Sequence, residues 1–187
     1  MQLFQHKKRQ RGFTFLEFAG VMALIAIAIG AIAFFYSNAT QSQDINTASQ
    51  DIAVVSQSIR SVYSGQTDYT GVGTDGVDAV INGGMVPKRM VNAADDGLVH
   101  VFEDTITIDE GQSAADTADN ADNFSISMAN VPEDACVRLA GIDMGNANTN
   151  LQIADGFYTQ AAGDLPVGID VASDKCAGGA TMTWSFR

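Results

Sequence analysis

The chain has 187 residues, enough for one modest domain and an appendage but not for two large cores. Its formal net charge of −12 comes from 22 acidic and 10 basic residues. A surface this acidic repels phosphate backbones, so no nucleic-acid partner is expected. The two cysteines and two histidines do not form the close pairs of a structural zinc site, and we predict neither a metal nor a cofactor.

The first segment is a basic tip followed by an apolar run. Lys7, Lys8, Arg9 and Arg11 lie within the first twelve residues, which contain no acid. Residues 18–36 read FAGVMALIAIAIGAIAFFY, and about 20 such residues suffice to cross a bilayer as a helix. Basic residues before the run keep that end in the cytoplasm, so the rest of the chain is exported. A signal peptide or a signal anchor is the ordinary interpretation.

Glu17 argues against both ordinary interpretations. A carboxylate costs about 2.5–3.5 kcal/mol at the centre of a membrane helix and less near its end, and it usually has a partner. The next basic residue in the sequence is Arg60. If the chain were cut after Gly12, Phe13 would gain a free α-amine. In a bundle of staggered identical helices, that amine and the Glu17 of a neighbour would neutralise each other in apolar surroundings.

The string GFTFLE at residues 12–17, followed by a long apolar helix, resembles the class III signal of type IV prepilins and related pseudopilins. The resemblance implies cleavage after Gly12 by a prepilin peptidase, N-methylation of Phe13 and an assembly role for Glu17. It also implies a homo-oligomeric helical filament and an inner-membrane pilus assembly machinery as partners. The precursor would lie in the inner membrane, and the product would be an extracellular pilus on a bacterial, Gram-negative surface.

A helical pattern continues beyond the apolar run. One face is apolar at spacings of three and four residues, and the other face is polar. Gly65 is a plausible stop, so we predict one helix over residues 15–64, half of it in the membrane and half packed on the body. The apolar face comprises Ile45, Ala48, Ile52, Val55, Ile59 and Val62. The polar face comprises Gln50, Asp51, Ser56, Gln57, Arg60 and Ser61.

The next segment, up to about residue 96, is a connection rich in Gly, Asp and Thr, with a short predicted helix at residues 77–81. Gly71-x-Gly73-x-x-Gly76 matches a dinucleotide-binding fingerprint in its letters alone. It follows a helix rather than a strand and lacks the βαβ context that the fingerprint requires. We therefore interpret it as a loop.

Three strands are predicted next, at residues 98–103, 104–109 and 124–128. Between the second and third, Asp116, Asp119 and Asp122 recur every third residue. Calcium is one explanation for this spacing. Because the alternating ligands, glycine and closing glutamate of an EF-hand are absent in this register, we favour a solvated loop.

The C-terminal part contains both cysteines. A Pro-Glu-Asp start at residues 132–134 predicts a short helix over residues 135–140 that carries Cys136. Cys176 precedes a final strand over residues 181–186, whose Met182, Trp184 and Phe186 are expected to face the core, with the threonines and Ser185 turned away. Two isolated cysteines in an exported protein favour one disulfide. Two buried free thiols are the alternative and would fit a cytosolic protein.

A long helix, an antiparallel sheet and a C-terminal disulfide loop together resemble the pilin fold, of class α+β. The stretch from Ser56 to Gly65 and the Val131-Pro132 pair before Cys136 are similar to type IVb major pilins, such as those of conjugative thin pili and bundle-forming pili. The short leader and the mature start at Phe13 depart from that subclass. The expected organisation is a leader (1–12), a transmembrane and polymerisation helix (13–36) and an exported pilin domain (37–187).

No catalytic set is recognisable, and we do not expect an enzyme. His100 would have to serve a Ser-His-Asp arrangement without a nucleophile signature such as G-x-S-x-G. Three hypotheses remain. The chain is a major pilin for adhesion, aggregation or mating contact, a pseudopilin or minor pilin with a short polymer, or a signal-anchored periplasmic binding domain that never polymerises.

Overall fold

The computed structural model describes residues 15–72, 76–94, 96–111 and 122–187. These residues divide into two compact units, one ending at Thr40 and the other spanning Gln41–Arg187, and each unit is described separately. The elements in chain order are helices α1 (Phe15–Tyr63) and α2 (Gly76–Asn82), a 3₁₀ helix (Lys88–Met90), strands β1 (Leu98–Val99), β2 (Thr105–Glu110) and β3 (Phe124–Val131), helix α3 (Glu133–Ala140), strands β4 (Asn148–Ile153) and β5 (Gly156–Thr159), helix α4 (Ile169–Lys175) and strand β6 (Ala180–Phe186).

The second unit, hereafter the body, is built on an antiparallel sheet of six strands in the order β1-β2-β3-β6-β4-β5. The last strand of the chain lies between β3 and β4. In its register Trp184 is opposite Ile126 on β3 and Leu151 on β4, and all three side chains are buried. One face of the sheet is therefore an apolar core, which confirms the predicted α+β class.

The C-terminal half of α1 contributes its apolar face to this core. Ile45, Ala48, Ile52, Val55 and Ile59 are all buried, as their spacing predicts. The expectation for Val62 is wrong, because 49% of its surface is exposed. This residue lies one position before the end of α1, past the buried stretch of the helix.

Two residues assigned to the polar face of α1 are also buried, and that prediction is wrong for both. Asp51 is bound by the guanidinium of Arg89. The Ser56 hydroxyl donates a hydrogen bond to the Ala53 carbonyl at 3.0 Å. Buried polar groups are tolerated when they are hydrogen-bonded, and hydrophobic spacing alone does not reveal such partners.

The predicted end of α1, the short helix before the sheet, α3 and the last three predicted strands agree with the structure to within three residues. The first predicted strand is wrong beyond Val99. The chain turns back at residues 100–104, where the Glu103 amide donates to the His100 carbonyl and Glu103 has a φ of 66°. Strands β4 and β5 and helix α4 were not predicted, because each is too short to show a clear apolar periodicity in the sequence.

On β6, Met182, Trp184 and Phe186 are buried as expected, but Ser185 is buried too. It is paired in register with Ser125 of β3, and neighbouring side chains can cover so small a residue on a central strand. Gly71 lies in a turn with a φ of 88°. Its partner Gly73 and the aspartates Asp116 and Asp119 of the predicted loop lie outside the described residues.

Candidate functional site

The N-terminal part of α1 carries apolar side chains around its whole circumference. Every residue from position 15 to 36 is exposed, including Phe15 at 87% and Tyr36 at 72%. A window of 18 residues within the helix has a mean hydropathy of 2.6, and none of the window is buried. By length and composition this segment can span a membrane. A helix that is apolar on all sides is stable only in apolar surroundings, so this segment is a candidate for contact with lipid or with other helices.

Glu17 lies in the first turn of α1 and is exposed. A carboxylate near a helix N-terminus interacts favourably with the partial positive charge of the unsatisfied amides there. The predicted cleavage and methylation residues, Gly12 and Phe13, lie outside the described residues. Their roles therefore remain predictions from the sequence.

Gly20 and Gly30 interrupt the apolar surface without interrupting the helix. A Cβ added at either position would meet nothing within 4 Å among the described residues. Each glycine therefore leaves a shallow notch on the helix surface. Notches of this kind allow a second helix to approach closely in an apolar environment.

The body is held at its C-terminal end by a disulfide between Cys136 on α3 and Cys176 at the end of α4. Both cysteines are fully buried, and 40 residues separate them in the sequence. The disulfide of the predicted fold is thus confirmed. A second link lies beside it, because the Glu133 carboxylate accepts a hydrogen bond from the Gly178 amide at 3.0 Å.

Asp51 and Arg89 form an ion pair that sequence spacing did not predict. It connects the C-terminal half of α1 to the 3₁₀ helix, whose Met90 is buried in the core. Burial raises the pKa of Asp51 above its ordinary value, and the Arg89 charge offsets that rise only in part. The attraction to the arginine therefore compensates only part of the cost of burying this carboxylate.

His100 has a structural role in the turn between β1 and β2. Its Nδ1 accepts a hydrogen bond from the Phe102 amide at 3.2 Å, so Nε2 carries the proton and donates to the Ala129 carbonyl at 2.8 Å. Burial lowers the pKa of this imidazole, although Asp104 nearby favours the charged form. Both ring nitrogens are therefore engaged by backbone in the neutral state, and the ring is not free to act as a catalytic base.

In the described part of the chain, no three His, Cys, Asp or Glu side chains are grouped so that they could hold a metal ion. Of the three aspartates in the candidate calcium pattern, only Asp122 falls within those residues. Its side chain lies 4.0 Å from Arg187, and both are exposed.

Comparisons with known proteins find matches in both the N-terminal segment and the rest of the chain. A family model described as prokaryotic N-terminal methylation motif matches residues 7–33. A curated relative, the major structural subunit of bundle-forming pilus from Escherichia coli O127:H6 (strain E2348/69 / EPEC), is 22% identical over 159 residues, which cover 85% of this chain and 75% of the relative. The protein of the same description from Escherichia coli O111:H- is 22% identical over 142 residues, or 76% of this chain and 69% of that relative.

The fold is also shared with a solved structure. The crystal structure of type IV b pilin from Salmonella typhi superposes with a TM-score of 0.59 at 18% sequence identity, covering 74% of this chain and 97% of that chain. The family model described as bundlin matches residues 37–187, which is most of the chain. The chain therefore belongs to the bundlin family of pilins.

Proposed function

We propose that the chain is a structural subunit of a type IV pilus and assembles through its N-terminal helix into an extracellular filament. The observation that carries this proposal is the fully exposed apolar segment at residues 15–36, most of which lies within the match to the N-terminal methylation motif and which precedes the bundlin match. Such a surface needs a bilayer before assembly and other apolar helices afterwards. A filament whose centre is made of these helices supplies the second environment without a change in the fold of the body.

In the precursor, the basic tip stays in the cytoplasm while residues 13–36 span the inner membrane and residues 37–187 are exported. A prepilin peptidase then removes residues 1–12 by cutting after Gly12, and the new α-amine of Phe13 is methylated. The remaining chain enters the filament with the help of an inner-membrane assembly machinery. These steps follow from the resemblance of the GFTFLE string to prepilin signals.

The register of the filament is set by charge in this proposal. The positive terminus at Phe13 of one subunit meets the Glu17 carboxylate of a neighbour in the apolar centre, where either charge alone would be expensive. The surrounding apolar side chains provide most of the association energy but little directionality. One charge contact therefore selects one stagger among many that the apolar surface would allow.

The body contributes a stable, exposed shell rather than a reaction. The relatives described as major subunits of bundle-forming pili support a role as the principal subunit, over a pseudopilin or an uncleaved anchor. The filament would serve adhesion, aggregation or mating contact on a Gram-negative bacterium. The basis for a non-enzymatic role is the family and the structural use of His100.

Mass spectrometry of protein sheared from the cell surface, combined with filament counts, tests this function. The expected mature chain begins at a methylated Phe13. Replacing Glu17 by the isosteric, neutral glutamine should leave leader removal intact but lower filament yield at least about tenfold, because the terminal charge loses its counterion in an apolar site. The exposed body variant Asp164→Asn removes the same charge and should assemble normally.

A surface protein that retains residues 1–12, or that begins downstream of Glu17, would contradict the proposed function. A normal filament yield from Glu17→Gln would contradict the register mechanism alone.

A further inference from the structure

Two surfaces of the body have complementary composition. The first is a depression of about 550 Å³ whose rim carries Arg60 and Arg187. The second is helix α4, which exposes carboxylates and branched apolar side chains. No residue of α4 lines the depression, so the two surfaces occupy different places on the same body.

The depression is cationic in a strongly acidic chain. Arg60 lies in the last turn of α1, and Arg187 directly follows β6; both are exposed. Within the described part of the chain, Arg60 belongs to none of the ion pairs, and Arg187 reaches only the exposed Asp122 at 4.0 Å. By contrast, Arg89 and Lys175 are engaged at close range by Asp51 and Asp155. Two arginines with available charge thus lie around one concave surface.

The floor of the depression is partly apolar and partly polar. Met144 and Ala147 are half-buried there and pack against the core, while Asn146 and Thr149 supply hydrogen-bonding groups. Such a floor fits an apolar side chain flanked by carboxylates better than a fully hydrated anion, because the apolar part is then removed from water.

Helix α4 has this composition. Ala172 is its buried residue, and the disulfide at Cys176 holds its end. Ile169 is 75% exposed. Asp170 and Asp174 are four positions apart and therefore lie on one face of the helix, where like charges repel each other. Asp174 also lies in the last turn, where the helix dipole disfavours a negative charge. Both features weaken α4 in isolation and would be relieved by cations from outside.

We propose that α4 of one subunit docks into the arginine-rimmed depression of the next copy, with Asp170 and Asp174 facing Arg60 and Arg187 and Ile169 over the apolar floor. This contact rests on the proposed filament function and adds a body-to-body interface to the helix contact. Because the two surfaces differ, the interface is heterologous rather than two-fold symmetric, and in the proposed filament its repetition continues along the polymer. A second copy is the partner favoured by charge, since each subunit carries both complements.

Charge reversal in cells that assemble the pilus tests the interface. Arg60→Asp and Asp174→Arg should each lower recovered filament about tenfold, because like charges then oppose each other at every copy of the contact. The double variant restores opposite charges and should recover most of the yield. The control is Lys88→Asp, which makes the same charge change at an exposed residue outside both surfaces and should assemble normally.

Cysteine cross-linking gives a second readout. A chain carrying both Asn146→Cys and Ser173→Cys should form a ladder of oligomers on oxidation, whereas either substitution alone should not. Three results would overturn the interface. One is equal filament yield from Arg60→Asp and Lys88→Asp, and another is failure of the double variant to recover filament yield. The third is a double-cysteine chain that forms no oligomer larger than a dimer on oxidation. Absence of filaments from the unmodified chain would instead overturn the proposed function, and the interface with it.

Discussion

The two halves of helix α1 are both rich in apolar residues, but they differ in where those residues lie. Residues 15–36 are apolar on every side and exposed, whereas the second half confines its apolar side chains to one buried face running from Ile45 to Ile59. The second half finds its partner in the sheet of its own body. The first half has no comparable surface within the described chain, so it depends on lipid or on other copies. One helix thus serves folding at one end and assembly at the other.

This difference predicts that substitutions in the body change the stability of the subunit, whereas substitutions in the exposed segment change assembly. The largest effect on stability is expected from removal of the disulfide. Cys136→Ser should destabilise the body by about 4 kcal/mol in the chain-entropy treatment of a 40-residue loop.

The measurement for Cys136→Ser is protease resistance and thermal unfolding of the exported body, with the reduced unmodified protein as its control. Protease resistance equal to that of the oxidised protein would show that the bridge is unimportant for stability.

An effect of comparable size, and the most direct test of the comparison, comes from one isoleucine in each half of α1. Ile52→Ala removes a side chain that is 1% exposed and should cost about 2–5 kcal/mol of unfolding free energy. Ile27→Ala removes the same atoms from a side chain that is 69% exposed and should leave the melting temperature of the body nearly unchanged. Thermal unfolding of the detergent-solubilised chain measures both, and equal shifts would break the distinction between the halves.

The smallest effect concerns pH and is confined to the body. Because the folded state lowers the pKa of His100, the unfolded state binds a proton more readily, and stability falls as pH drops below about 6.5, the ordinary value. Asp104, whose own pKa is lowered by its hydrogen bond from Asn130, attenuates the loss by favouring the charged imidazole. This loss of stability occurs at higher pH than the changes in stability caused by protonation of the carboxylates.

The matched variant is His100→Gln, whose neutral amide can still donate to the Ala129 carbonyl. Melting temperatures measured at about pH 7.5 and 5.5 should differ more for the unmodified protein than for the variant. An identical pH dependence of the two proteins would mean that His100 does not contribute to it.

Much of the fold follows from local patterns in the sequence. The course of α1, the buried spacing of its second half and the alternation on β6 are visible because one face of a regular element must be apolar when it packs. Helix α3 is visible from its Pro and acidic start. The segments that escaped prediction, β4, β5 and α4, are too short to show a clear apolar periodicity, and their structure depends on strand pairing and on the disulfide.

The proposed assembly residues were likewise visible in the sequence, whereas other features of the structure were not. Gly12, Phe13 and Glu17 were found because a charge, a glycine and an apolar run stand together in the sequence. Sequence patterns could not reveal the ion pair between Asp51 and Arg89. Its two members are 38 residues apart, and each is an ordinary charged residue in its own segment. The same holds for the proposed pairing of the depression around Arg60 with helix α4.

By itself, the sequence determined which side chains must leave water, since that depends on composition and spacing along a helix or strand. It thereby predicted an exported body, a membrane-compatible helix and a family resemblance. The tertiary structure alone decided which polar groups are buried and how they are satisfied, and which charges remain available on the surface. Those outcomes depend on contacts between distant segments, and such contacts are fixed only when the six strands and the C-terminal half of α1 close around one core.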